Sequence, residues 1–520
     1  MGNFLRIACH MPLPLRIPIL TYSFGGILCH LVKTTIQSLF KYLVLTFSLT
    51  AILLAGCQTM HTPEEIPEPE PRVEVGDPEG PEDPAIPEAP DPQEILITLG
   101  ENLEELLQQG DLGAALDLYP DYAQALRMTG TDEYELGLLL ANLLIASNQL
   151  EQAREILVEL NQSSPDDTEV LFSLGIVAGL MNDIPEVHRI YQRMLTIDPD
   201  DPRALGGLGT LELQAGRRDQ ALNLFNRAIL ADPESLQALV GRASIQANRG
   251  NVQEAIADLT KVLESEPRID SVWAQRGLLR AADGDNAGGL SDLSRAVEIQ
   301  PNSPWNFIDR GRLLFRTGQF APAIDDFSRA LELDSSNFLV RIYRAQAYDG
   351  AGMFTEAARD YSVALEMRPD YYPAYTLAAM TFFRTGDYSR AKQFFLEAAR
   401  GREGRDEYYL MAALAGYYGG NHQQTTRELQ QWSSRFSRDS LWWGIARYFM
   451  TPGNDGGILN QLQRHPSAFE RAQGQVFLGA FFLLEGKRST ALALLTEMGE
   501  DTLRGLPEGA LADWLTNEFK

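Results

Sequence analysis

Hydrophobic and polar positions repeat every 34 residues over the central part of this chain. Each period holds two stretches in which apolar and small residues recur at offsets of three and four, the spacing that places side chains on one face of a helix. An Asn or a Gly separates the two stretches, and these residue types tolerate a left-handed backbone. The turn residues are Asn148, Asn182, Gly216, Gly250, Gly284, Gly318, Gly352, Gly386 and Gly420. The pattern therefore predicts a series of helix pairs.

The second helix of each pair carries three columns of buried-type residues: a small one, a large apolar one and a second small one. These columns are Ala153, Ala221, Ala255, Ala323, Ala357 and Ala391; Leu157, Tyr191, Phe225, Leu259, Leu293, Phe327, Tyr361, Phe395 and Leu429; and Ala228, Ala296, Ala330, Ala364 and Ala398. Proline then stops the helix at Pro165, Pro199, Pro233, Pro267, Pro301 and Pro369. In the first helix, Gly175, Gly209, Gly277 and Gly311 predict close helix–helix contact, because a mid-helix glycine otherwise costs roughly 1 kcal/mol.

This order of Leu-Gly, Ala, aromatic, Ala and Pro positions over 34 residues resembles the tetratricopeptide repeat (TPR). The resemblance covers residues 134–436 in nine units, with departures at Val187, Gly289 and Ser335. Residues 96–133 form a degenerate N-terminal repeat and 437–471 a degenerate helix pair. Residues 472–520 form a terminal TPR-like repeat and a capping helix, with Leu506, Leu511, Trp514 and Leu515 expected against the last pair. The resemblance implies an all-α fold, an α-solenoid (right-handed superhelix) of about eleven stacked helix pairs.

The N-terminal region, residues 1–56, has the features of a secretory signal. Residues 42–54 are a short apolar run preceded by Lys33 and Lys41, and this run is shorter than the roughly 20 residues that a membrane-spanning helix needs. It ends in Leu54-Ala55-Gly56-Cys57, which resembles the lipobox of bacterial lipoproteins. That resemblance implies cleavage before Cys57 and lipidation of its sulfur. The alternative is a cleaved signal followed by an incidental cysteine.

Two further N-terminal segments do not belong to the repeats. Residues 1–31 add an apolar stretch that does not fit a signal, so we expect translation to start near Val32. Residues 57–95 join the candidate lipidated cysteine to a proline-rich acidic linker in which Arg72 is the only basic residue. Such a segment is extended and solvated, and it could span on the order of 100 Å. A spacer is the favoured interpretation, and a specific ligand for a proline-binding partner is the alternative.

The net charge, the cysteines and the absent motifs limit which partners, metal sites and reactions the sequence supports. The formal net charge of −27 disfavours nucleic acid and anionic lipid surfaces as partners. No cysteine lies beyond Cys57, which excludes a disulfide or thiolate metal site in the folded part, and the six histidines have no ligand spacing. The sequence has no HExxH, CxxC, GxSxG or Walker-type motif. We therefore expect no cofactor, no metal and no enzymatic activity; a hydrolase site in 437–471 is the alternative.

In the TPR family the first helices line a concave groove that binds peptides or protein segments. The resemblance places these residues in the groove: Trp305, Asp309, Arg312, Arg316, Tyr343, Gln346 and Arg384. Aromatic residues and arginines are common binding hot spots, and arginine can hold a carboxylate with two hydrogen bonds. The alternative is that the arginines pair with Asp309, Asp349 and nearby acids.

Together these features predict a lipid-anchored TPR scaffold that binds protein or peptide partners at the bacterial cell envelope. Gln58 after the candidate lipidated cysteine favours the periplasmic face of the outer membrane. The alternative function is a small-ligand-binding component of an envelope uptake system. That alternative requires a closed, apolar, aromatic-lined cavity in place of an open polar groove.

Overall fold

The structure is a computed structural model that describes residues 92–109, 111–128, 133–400, 405–497, 503 and 507–519. The predicted signal, Cys57, the proline-rich linker and Leu506 lie outside the described residues. Every regular element in the described part is an α-helix, and the helices fall into two compact units whose boundary lies at Pro267–Arg268. None of these helices is long and apolar enough to cross a membrane. The all-α solenoid of helix pairs predicted from the sequence is confirmed.

The described residues of the N-terminal unit form five helix pairs. Their helices are α1 (Pro92–Gln109), α2 (Leu112–Met128), α3 (Glu133–Ala146), α4 (Leu150–Ser163), α5 (Thr168–Leu180), α6 (Ile184–Ile197), α7 (Pro202–Gln214), α8 (Arg218–Ala231), α9 (Leu236–Asn248) and α10 (Val252–Ser265). Short connections make the two helices of each pair antiparallel neighbours.

In the C-terminal unit, the part of the chain that the structure describes forms seven helix pairs and a final single helix. The first four pairs are α11 (Asp270–Ala282), α12 (Asn286–Ile299), α13 (Pro304–Arg316), α14 (Phe320–Leu333), α15 (Phe338–Gly350), α16 (Phe354–Met367), α17 (Tyr372–Arg384) and α18 (Tyr388–Arg400). The remaining helices are α19 (Glu407–Tyr418), α20 (His422–Ser433), α21 (Leu441–Met450), α22 (Asp455–Arg464), α23 (Ala468–Leu484), α24 (Arg488–Glu497) and α25 (Pro507–Phe519).

The predicted columns form the core between the two helices of each pair. Phe225 and Phe327 are 0 % exposed, and the small residues that flank them are also buried. A Cβ added to Gly209 would lie 2.6 Å from Cε1 of Phe225, which confirms the predicted close contact. The departure at Gly289 has the same cause, because a Cβ there would lie 2.7 Å from the carbonyl oxygen of Gly277. At this pair the two helices meet backbone to backbone.

The turn residues have the predicted left-handed backbone. All nine have positive φ, from 59° at Asn148 to 101° at Gly284. The prolines lie just beyond the second helices, as predicted: α4 ends at Ser163 and Pro165 follows in the turn. The turn residue thus separates the two helices of a pair, and the proline marks the end of the second helix.

Arginine–aspartate pairs recur every 34 residues, and we call them the arginine–aspartate ladder. They join the first and second helix in one pair of the N-terminal unit and in three successive pairs of the C-terminal unit. Each arginine donates two hydrogen bonds, at 2.6–2.9 Å, to an aspartate sixteen residues later. Two of the arginines also donate to a serine hydroxyl on the preceding pair, at 3.1 and 3.4 Å. The ladder therefore holds both the helices of a pair and neighbouring pairs. Its members are Arg242–Asp258, Arg276–Asp292, Arg310–Asp326 and Arg344–Asp360.

Candidate functional site

The candidate site lies on the inner face of the C-terminal unit, defined as the side on which first helices of successive pairs meet. On this face α11 contacts α13, and α13 contacts α15. Trp305, Asp309 and Arg312 follow each other along α13 at offsets of four and three, so their side chains share one side of the helix. Tyr343 and Gln346 are three residues apart on α15 and share a side in the same way.

Asp309, Arg312 and Tyr343 form a compact polar and aromatic group. The Arg312 guanidinium lies 3.6 Å from Asp309 Oδ1, and its Cζ lies 5.6 Å from the centre of the Tyr343 ring. The Tyr343 ring in turn rests against Phe327, with ring centroids 5.8 Å apart. These contacts orient Arg312 while 37 % of its side chain stays exposed. An oriented and half-exposed guanidinium can receive a carboxylate from a partner.

Asp309 does not fully neutralise this arginine. Burial raises the pKa of Asp309 to about 6, and the neighbouring Arg312 opposes the shift. At 3.6 Å the ion pair is longer than a direct charge-assisted hydrogen bond, which spans about 2.7–2.9 Å. Arg312 therefore keeps hydrogen-bonding capacity for a second acceptor.

Trp305 and Gln346 add an apolar and a polar element to this group. Trp305 is 53 % exposed at the start of α13, an unusual position for so large an apolar side chain. The Gln346 Oε1 atom is buried and accepts no hydrogen bond within the described residues. A buried unpaired amide oxygen is costly, and rotation of the Gln346 amide toward a bound segment would let the oxygen accept an N–H group. We call Trp305, Asp309, Arg312, Tyr343 and Gln346 the open patch.

Arg316, predicted to share the groove, has a different environment. Its Nη2 donates to the Ala281 carbonyl oxygen at 2.8 Å and to Asn286 Oδ1 at 3.0 Å. These bonds tie the end of α13 to the preceding helix pair. The structure thus gives Arg316 a role in pair-to-pair packing, with partners that differ from those of Arg312.

Arg384 is covered by the C-terminal helix α25. Its Nη2 donates to the Ala510 carbonyl oxygen at 3.3 Å, and its Cζ lies 5.2 Å from the centre of the Phe354 ring. Burial lowers the pKa of Arg384, against the opposing effects of Asp349, Tyr361 and Asp513. Asp349 is itself buried and accepts a hydrogen bond from Thr381 Oγ1 at 2.7 Å. The three predicted arginines therefore do not converge on one ligand, and part of the acid pairing considered as the alternative is present.

Beyond α17 the inner face is filled by aromatic side chains. Phe449 and Phe481 stack with ring centroids 4.3 Å apart, and Tyr417 meets Phe481 edge-on at 5.3 Å. Tyr418 donates its hydroxyl to the Ala480 carbonyl oxygen at 3.0 Å. Among the described residues, these aromatic side chains pack against one another. Among the described residues, no group of three or more His, Cys, Asp or Glu side chains is arranged to hold a metal ion.

Two features of this site escaped the sequence analysis. The ladder places Arg310 on α13 and Arg344 on α15, the helices that carry the open patch, and its 34-residue spacing is visible in the sequence. The contact of α25 with α17 has no such signal, because Arg384 and Ala510 are 126 residues apart.

Comparison with known families supports the repeat assignment. A tetratricopeptide repeat model matches residues 207–268, 308–372 and 344–408, and a second tetratricopeptide repeat model matches 106–174. No curated protein sequence matches the chain. Among solved structures, the chain is similar to PilF of Pseudomonas aeruginosa, with 14% identity over 40% of this chain and 94% of that chain and a TM-score of 0.36.

Two other solved structures show the same level of similarity. One is YrrB, described as a TPR protein with an unusual peptide-binding site, at 18% identity over 35% of this chain and 95% of that chain, with a TM-score of 0.33. The other is a tetratricopeptide repeat protein from Parabacteroides merdae, at 18% identity over 49% of this chain and 99% of that chain, with a TM-score of 0.33. At these scores the similarity supports no inference about partners.

Proposed function

Because the chain is a tetratricopeptide-repeat protein, we propose that it is a binding scaffold that holds a segment of a protein partner on the open patch. The proposal includes a lipid at Cys57 that keeps the scaffold at a membrane of the bacterial envelope. The observation that supports the binding function is that an exposed Trp305 and an oriented, incompletely neutralised Arg312 lie on the same side of α13. Tryptophan and arginine are among the residues that most often dominate binding energy at protein interfaces.

The open patch favours an extended segment that carries a carboxylate. Arg312 would bind the carboxylate, Trp305 would cover an apolar side chain, and Gln346 Oε1 would accept a backbone N–H. Removing either polar contact from a formed complex leaves a buried polar group unpaired, so both should contribute to specificity. The partner segment is thus acidic or C-terminal and has an apolar residue nearby.

Localisation is proposed from the sequence alone. The lipobox-like residues before Cys57 and the secretory-type run before them support lipidation, and Gln58 supports the periplasmic face of the outer membrane. The proline-rich linker to residue 95 would then separate the repeats from the membrane. Metabolic labelling with an alkyne fatty acid tests this directly, since a Cys57→Ser chain should take up no label and leave the membrane fraction.

Site-specific photocrosslinking in cells tests the binding surface. A photoreactive residue at Trp305 should capture a partner, whereas the same residue at Arg329, exposed on second helix α14, should not. Combining this photoreactive residue with Arg312→Glu should abolish capture at Trp305, because a negatively charged glutamate would then face the carboxylate of the ligand. Equal capture at Trp305 and Arg329, or capture that persists with Arg312→Glu, would refute binding at the open patch.

A further inference from the structure

The final helix α25 lies on the inner face of the C-terminal unit. It contacts α23 and α24 of the last pair and also α17, which belongs to a pair three positions earlier. Trp514 meets Phe383 of α17 edge-on, with ring centroids 5.7 Å apart, and Leu511 and Leu515 are buried. Thus α25 packs against the last pair, where the sequence predicted it, and against α17 as well. The surface that it covers lies on the same face as the open patch proposed above to bind a partner.

Apolar residues hold α25 in place through one stripe. Leu511, Trp514 and Leu515 stand at offsets of three and four, the arrangement by which an amphipathic helix fills a groove. The two leucines are 1 % and 0 % exposed. This stripe accounts for the attraction between α25 and the surface beneath it.

Polar groups at the contact between α25 and the surface beneath it oppose docking, and the main one is Glu508 of α25 itself. Glu508 is 0 % exposed; its Oε1 accepts a hydrogen bond from Gln473 at 2.8 Å, but its Oε2 has no hydrogen-bond partner among the described residues. Burial raises the pKa of Glu508, and the nearby Glu407 carboxylate adds to the shift. Docking also covers the Arg384 guanidinium, which gains a 3.3 Å bond to a carbonyl oxygen of α25. If α25 served only to complete the core, a neutral residue at position 508 would dock more stably than Glu508.

We propose that the surface beneath α25 is a second binding site, which α25 occupies until an amphipathic helix of a protein partner displaces it. The partner helix would repeat the stripe of Leu511, Trp514 and Leu515. It would keep an acid where Asp513 faces Arg384 and place a neutral residue where α25 has Glu508. Such a helix would lack the unpaired carboxylate oxygen of α25 and would therefore bind the same surface more tightly.

A peptide supplied in trans tests exchange at this surface. The full chain carrying Leu511→Asp and Leu515→Asp should release α25 and bind a fluorescent peptide that copies residues 503–520, whereas the unmodified chain should bind it far more weakly. A Glu508→Gln peptide should bind at least three-fold more tightly and an Asp513→Lys peptide at least ten-fold more weakly. A Glu518→Lys peptide is the matched control, because it makes the same charge change away from Arg384 and should bind as the parent does.

Two results would overturn the proposal. One is a released chain that keeps its full helical circular dichroism but binds none of these peptides. The other is a Glu508→Gln peptide that binds no better than the parent. An Arg312→Gln change should leave trans binding unaltered, which separates this site from the open patch.

Hydrogen exchange on the unmodified chain provides a test that does not depend on a foldable variant. If α25 opens independently, its amides should exchange at least 100-fold faster than those at the centre of α23. Equal protection in α25 and α23 would make α25 a fixed part of the core and refute the proposal. Concentration-dependent dimers that exchange α25 between copies would also refute it, because the occupant would then be a second copy of the chain.

Discussion

The arginine–aspartate ladder allows a quantitative prediction at its most buried step. Asp292 accepts hydrogen bonds from Arg276 at 2.8 and 2.9 Å and a third from Arg280 at 3.0 Å. The side chains of Asp292 and Arg276 are only 2 % and 8 % exposed. Asp292→Asn keeps the shape of the side chain but removes its charge and turns an NH₂ group toward arginine donors. Breaking one partner of a buried ion pair costs about 3–5 kcal/mol, so we expect destabilisation of that size.

The readout must be local, because a repeat array does not always unfold in one step. Hydrogen exchange of α11 and α12 amides should accelerate by at least about 100-fold, since 1.4 kcal/mol corresponds to a factor of ten. Glu332→Gln is the matched control: its pair with Arg329 is exposed, and such pairs contribute about 0–1 kcal/mol. An Asp292→Asn effect no larger than that of Glu332→Gln would refute the reasoning.

A double change then separates the net contribution of the pair from the cost of breaking it. Replacing Arg276 by Met and Asp292 by Leu removes both buried charges and leaves Arg280, which is 29 % exposed, to reach solvent. Buried ion pairs replaced by apolar residues are often neutral or stabilised by about 1–4 kcal/mol. We expect the double variant to be clearly more stable than Asp292→Asn alone. A double variant as unstable as the single one would show that the ladder stabilises through its charges.

Three further predictions follow from the C-terminal unit. Arg312→Gln should weaken partner capture at Trp305 at least ten-fold. Arg316→Gln should leave capture unchanged, because the Arg316 guanidinium already donates hydrogen bonds to α11 and α12. Equal losses for the two variants in a pull-down titration would contradict this assignment. Asp309→Asn should stabilise the chain at pH 7.5 by about 3 kcal/mol, since a displaced pKa is worth about 1.4 kcal/mol per pH unit. Burial raises the Asp309 pKa from 3.8 to about 6, so between pH 6 and pH 4 the folded chain binds a proton that the unfolded chain does not. The difference in urea midpoint between Asp309→Asn and the unmodified chain should therefore shrink from pH 7 to pH 4.

The repeat architecture could be predicted because each repeat is a local solution to the same packing problem. Phe225 needs a bare Gly209 opposite, and Asn148 needs a left-handed backbone, so residue type and position are tied at short range. The site was harder to predict for the opposite reason. Arg312 and Arg384 are equivalent by residue type, yet Arg384 is covered by Ala510, far away in sequence. Periodicity locates a face of a helix but not what the rest of the chain places over it.

The size of the open patch explains what a lipid anchor would add to the proposed function. First helices that pack side by side lie about 8–10 Å apart, and an extended segment advances about 3.3 Å per residue, so α13 and α15 contact a short stretch of partner. A contact of that size binds weakly by itself. Holding scaffold and partner at one membrane raises their effective concentration without any new contact. We therefore expect Cys57→Ser to reduce crosslinking at Trp305 in cells while leaving binding of the purified chain unchanged; equal loss in both assays would place Cys57 in folding or binding instead of anchoring.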